Sequence, residues 1–124
     1  MKKEESLRYY LIIFGLFNIF ILAFIIPLFF GDILLWSPRN LPTDMMIGSI
    51  NLAMGMIMLL VAQNPMRHKS FIDFIIISNV FHAIVMFVYA QNIMHIFDAM
   101  TVCSIGVLPL LFYPWSLRDF LRYR

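Results

Sequence analysis

Apolar residues fill this chain in four long runs, Tyr9–Phe30, Met45–Gln63, Phe71–Ala90 and Ala99–Trp115, separated by short polar breaks. Each run approaches the roughly 20 residues that a helix needs to cross a bilayer core. Hydrocarbon offers the backbone no hydrogen bonds, so each run is predicted to be a helix that satisfies its own peptide groups. The breaks are Gly31–Thr43, Asn64–Ser70 and Gln91–Asp98. Short connections make consecutive helices antiparallel neighbours. The expected fold is therefore all-α: one transmembrane domain over residues 1–124, built as an up-down-up-down four-helix bundle.

Punctuation within the breaks refines the boundaries. Ser70-Phe71-Ile72-Asp73 has the form of a capping box opening the third helix. Asp98 fits the N-cap of the fourth helix, and Thr43 or Asp44 that of the second. Asn64-Pro65 is a turn signal. Pro109 is expected to kink or open the fourth helix, and Pro114 to mark its end. Pro38 and Pro42 argue against regular structure through the first loop, where Ile33–Trp36 is a candidate surface segment.

Charge orients these elements. Eight of the nine Lys and Arg residues fall in the N-terminus, the second loop and the C-terminus; only Arg39 lies in the alternate gaps. By the positive-inside rule both termini are cytoplasmic. Tyr9, Tyr10, Trp36, Tyr113 and Trp115 lie near the expected interfaces, where amphipathic rings prefer to sit. The first run follows Lys2, Lys3 and Arg8 but is longer than a cleavable signal core of about 7–15 residues, so a retained span is expected.

Composition agrees: 62% of the 124 residues are hydrophobic and 13% charged, with mean hydropathy +0.87. Spans and loops use the whole length, leaving no room for a soluble catalytic module. The net charge of +2 is too small and dispersed for a nucleic-acid partner. The single cysteine, Cys103, excludes an internal disulfide.

Polar and small residues inside the runs are the candidate chemistry. On the second helix Gly48, Asn51, Gly55 and Ala62 fall within about 60° of one another, a stripe that lets another helix approach closely. On the third, Ser78, Asn79, His82, Met86 and Tyr89 share a face. His82 stands about 11 residues, or ~16 Å, from the inner end, near the midplane. Asn18 reaches a similar depth on the first helix, and Asn51 lies nearer the outer surface. Asn18, Asn51, Ser78, Asn79 and His82 thus form a candidate midplane polar core. It serves either as interhelical glue or as a site for a small-molecule ligand or proton.

Outside, Asp44, His95 and Asp98, with Asp32 and Arg39 nearby, include the donor types of a metal site. Capping explains the two aspartates equally well, and His95 in a wet loop needs no special account. His68 sits among inner cations as an interfacial residue, and Asp73 reads as a cap. Met54 and Met58 have the MxxxM spacing of copper transporters, yet methionine is also an ordinary filler of apolar helices. The sequence has no Ser-His-Asp set, CxxC pair, phosphate-cradling loop or mid-depth acid. The depths of His82 and His95 do not match for a bis-His haem. No cofactor is expected.

The string from Asn64-Pro65-Met66-Arg67-His68-Lys69-Ser70 through Phe74, Ser78 and His82-Ala83-Ile84-Val85-Met86 resembles a family of small bacterial four-span membrane proteins defined only as a domain of unknown function. Met46-Ile47-Gly48 and Gly55 before it, and His95 and Asp98 after it, extend the likeness over most of the chain. The resemblance implies the bacterial inner membrane and brings no reaction. The leading expectation is a non-enzymatic membrane protein acting through helix association, as a homo-oligomer or an accessory subunit. The alternatives are a small transporter or binding protein using the His82 core, and a membrane-embedded enzyme or redox protein.

Overall fold

The computed structural model describes residues 2–30 and 40–112. Asp32, Ile33–Trp36, Pro38, Arg39, Tyr113, Pro114, Trp115 and the C-terminal arginines lie outside the described residues. The elements are α1 (Lys2–Phe17) continuing as a π-helical segment (Asn18–Phe30), α2 (Leu41–Val61), a 3₁₀ turn (Pro65–His68), α3 (Lys69–Val88), α4 (Ile93–Val107) and α5 (Pro109–Phe112). Together they make four helices long and apolar enough to cross a membrane: Lys3–Phe30, Leu41–Val61, Pro65–Val88 and Ile93–Phe112. The chain is all-helical over the described residues.

Three helix starts differ from expectation, each for a local reason. Asn40, in extended conformation, caps α2 by accepting the Thr43 N–H at 3.5 Å, with a proline in the first turn. Proline belongs there because its missing donor would have had no partner. Asp44 therefore lies inside the first turn, where a carboxylate faces the positive end of the helix dipole. Asn92 caps α4 by accepting the His95 N–H at 3.0 Å, so the helix begins six residues before Ala99 and contains both His95 and Asp98. Pro65 initiates the 3₁₀ turn that runs straight into α3, so Ser70 is already helical and the capping box does not form.

Two prolines shape the spans. Pro27 sits inside the π-helical segment. In an α-register its ring would crowd the carbonyl of Ala23 four residues earlier, and the wider turn relieves that clash. Pro109 opens the fourth span as expected: α4 stops at Val107, Leu108 N–H bonds to Ile105 O at 3.3 Å, and α5 resumes at the proline.

The chain forms two compact units: Arg8–Gln63, and Asn64–Arg124 together with Met1–Leu7. In the first, the π-helical segment packs against α2. A Cβ placed on Gly55 would stand 2.6 Å from Gly15 O and 2.7 Å from Ile19 Cγ1; one on Gly48 would stand 2.7 Å from Ala23 O. As one helix advances from residue 15 to 23, its neighbour runs back from 55 to 48, so the pair is antiparallel. The predicted small-residue stripe of α2 thus faces its own hairpin partner, and Gly48, Gly55 and Ala62 are buried. Met58, on the same helix, is fully buried.

In the second unit α3 packs against α4. The closest approach is Asn79 over Gly106, with the Asn79 Cβ directly against the position a Gly106 Cβ would take. Ile72, Ile75, Ile76 and Ala83 of α3 and Ala99 of α4 are buried.

These contacts give the first prediction. Gly55→Ala forces backbone and Ile19 apart and is expected to cost about 1–3 kcal/mol, the usual range for overpacking. Ala53→Leu, on the exposed side of α2, should change stability by no more than about 0.5 kcal/mol. Thermal unfolding in detergent compares them; equal midpoints would show that the close approach at Gly55 is not a stability determinant.

Candidate functional site

The five residues of the expected midplane core divide between the two units: Asn18 and Asn51 in the first, Ser78, Asn79 and His82 in the second. Asn18 is buried at 4% exposure. Its Nδ2 donates to Phe14 O at 2.8 Å, with Met58 Sδ at 4.0 Å as a weak second acceptor. Asn51 is half-buried, one turn before Gly55. Ser78 Oγ donates to Ile75 O at 3.1 Å, and Asn79 Nδ2 donates to the same carbonyl at 2.8 Å. Three polar side chains are thereby folded back onto their own helices.

This arrangement has a packing consequence. An asparagine whose amide is turned to the carbonyl four residues back presents its Cβ to the neighbouring helix. Asn18 does this beside Gly55, where its Cβ stands 3.1 Å from the position of an added Cβ; Asn79 does it over Gly106. Sequence reasoning placed both asparagines at depth but missed their glycine partners. The signal was available as the few glycines inside apolar runs, Gly15, Gly48, Gly55 and Gly106.

His82 stands apart from the other four. It is exposed on α3, with Phe81 beside it 65% exposed and Val85 56% exposed, and it makes no hydrogen bond to any described residue. The other polar groups exposed on spans include Ser49, whose Oγ bonds to Met46 O at 2.7 Å, and Thr101, whose Oγ1 bonds to Phe97 O at 2.8 Å. An imidazole is too rigid to reach back in that way.

At the other candidate centre, Asp44 lies buried in the first turn of α2, in the first unit. His95 and Asp98 lie three residues apart on α4, in the second. His95 is only 2% exposed, a correction to its expected place in a wet loop. Its Nδ1 accepts the Gln91 N–H at 3.3 Å, which fastens the turn between α3 and α4. That bond uses the Nδ1 lone pair and puts the neutral ring's proton on Nε2, so neither nitrogen is left as a free metal donor in this state. Among the described residues no three His, Cys, Asp or Glu side chains form a group that could hold a metal ion.

Asp98 lies in the second turn of α4, and its Oδ2 is buried without a hydrogen-bond partner among the described residues; Asp73 Oδ1 in α3 is the same. Neither acts as the expected N-cap. His68 is exposed between Arg67 and Lys69.

Comparison with protein-family models, with curated proteins and with solved structures finds no match to this chain. The geometry of its own residues therefore carries the functional argument.

The turn between α3 and α4 supplies the second prediction. His95→Ala removes a buried ring and the acceptor of the Gln91 N–H, for an expected loss of about 1–3 kcal/mol. Asn92→Ala removes the cap of α4 and is expected to lose about 0.5–2 kcal/mol. His68→Ala should stay within about 0.5 kcal/mol. If thermal unfolding ranks His95→Ala with His68→Ala, the structural role of the buried ring is wrong.

Proposed function

We propose that this chain is a small non-enzymatic membrane protein that acts through helix association, assembling with further copies or serving as an accessory subunit of a membrane complex. The observation that carries this reading is how little of each span the chain covers itself: only 22–28% of each apolar 18-residue window is buried. Such continuous exposed apolar surface belongs against lipid or other helices. Its donors point the same way. Asn18, Ser49, Ser78, Asn79 and Thr101 each commit a side-chain donor to a carbonyl of their own helix. A transporter or redox site requires groups directed at a common point, so this commitment favours association over the ligand-binding and enzymatic alternatives.

The same reading includes an up-down-up-down bundle with both termini cytoplasmic, from the placement of Lys and Arg. It also includes a place in the bacterial inner membrane, from the family that the Asn64–Met86 string resembles.

Two measurements test it. Reporter fusions after Arg124 should read out in the cytoplasm, and an external readout there would reverse the assigned orientation. Purified protein in lipid nanodiscs should have the mass of more than one copy, or carry a second membrane protein at fixed stoichiometry. A lone monomer at every protein-to-lipid ratio counts against the function.

A further inference from the structure

His82 is an exposed in-span polar group with no hydrogen bond to any described residue. At 1.5 Å per residue it stands about 17 Å from Phe71 and about 10 Å from Tyr89, well inside a hydrocarbon core of about 30 Å. A polar group left bare there is costly, and ionisable side chains in spans are ordinarily turned toward a partner. Its surroundings give that partner a shape. Ser78, His82, Val85 and Tyr89 follow one another at intervals of four, three and four residues along one flank of α3. This is the spacing of a left-handed helix–helix seam. The seam is open: Ser78 is half-buried, His82 is exposed, and Val85 and Tyr89 are 56% and 67% exposed. Ser78 is small enough for close approach. Its hydroxyl hydrogen is directed to Ile75 O, which leaves the oxygen as an acceptor on the seam.

Resting on the self-association reading above, we infer that this flank is where two copies of the chain pair in the membrane, with His82 meeting His82 of the partner subunit. The occupant follows from chemistry and symmetry. A neutral imidazole carries one donor and one acceptor, so it is complementary to itself. Two copies with the same orientation, related by a two-fold axis along the bilayer normal, bring each residue on that axis to its counterpart at equal depth. An N–H···N bond between the two rings then pairs the donor of one with the acceptor of the other.

The experiment uses the full chain in native membranes and lipid vesicles. In a Cys103→Ser background, Val85→Cys and, separately, Tyr89→Cys should form disulfide-linked dimers on mild oxidation. Phe87→Cys, exposed on the other side of the same helix, should not. With His82→Ala added, dimerisation measured by energy transfer in vesicles should weaken about 3- to 20-fold, the range of an interhelical hydrogen bond in a membrane. His82→Gln, which keeps a donor and an acceptor, should recover most of the loss. Because His82 is exposed and makes no hydrogen bond to any described residue, the unfolding midpoint of the isolated protomer should not move. Dimers that link through Phe87, or that form equally well with His82→Ala, overturn the face while leaving self-association intact. A chain that stays monomeric at every density removes both.

Discussion

The fold rests on close approach at glycine, backbone against backbone in the first unit and an asparagine side chain against the glycine in the second. Between apolar helices surrounded by apolar tails, burial supplies no hydrophobic drive, and association depends on van der Waals contact at short range. Such contact falls away steeply with distance, so helices must come close, and a Cβ in the wrong place prevents it. In the first unit Gly15 and Gly55 face each other, and Gly48 lies under the Ala23 carbonyl. In the second, Gly106 receives Asn79. The proline at 27 belongs to the same arrangement, since the π-helical segment containing it also carries Ala23.

The asparagines complete these contacts. A buried amide in an apolar setting needs a partner, and the usual solution reaches across to another helix. Asn18 and Asn79 instead donate to the carbonyl four residues back, each at 2.8 Å. This satisfies the donor and leaves the Cβ free to sit on glycine. Each unit is thereby closed without an interhelical hydrogen bond between the asparagine and the facing glycine. Donors turned onto their own helices leave apolar flanks exposed, and His82 is a polar group on one such flank.

How much was legible depended on the kind of signal. Helix number and approximate extent followed from run length. Helix starts did not, because hydropathy begins where side chains become apolar whereas a helix begins where its first N–H groups find an acceptor. Asn40 and Asn92 supply those acceptors, moving the second start back from Met45 to Leu41 and the fourth from Ala99 to Ile93. The second shift changed the chemistry as well as the boundary. It carried His95 out of a presumed loop into a buried first turn and gave its Nδ1 a structural partner. The midplane core was only partly visible. Depth is additive along a helix and can be counted, and Asn18, Asn79 and His82 lie in helices long and apolar enough to cross a membrane. Their directions could not be counted in the same way.

That difference marks what the sequence determined alone. Runs of this length and apolarity must be helical, because nothing else pairs their backbone groups in hydrocarbon. Which face turns inward is another matter. In a soluble helix the apolar stripe names the buried side, but a span apolar all round carries no such contrast. Only the tertiary contacts assigned the faces: the Gly48–Gly55 stripe to its own hairpin partner, Asn79 to Gly106, and His82 to the outside. Those assignments depend on close approaches between particular atoms of residues far apart in the sequence, which no single segment contains.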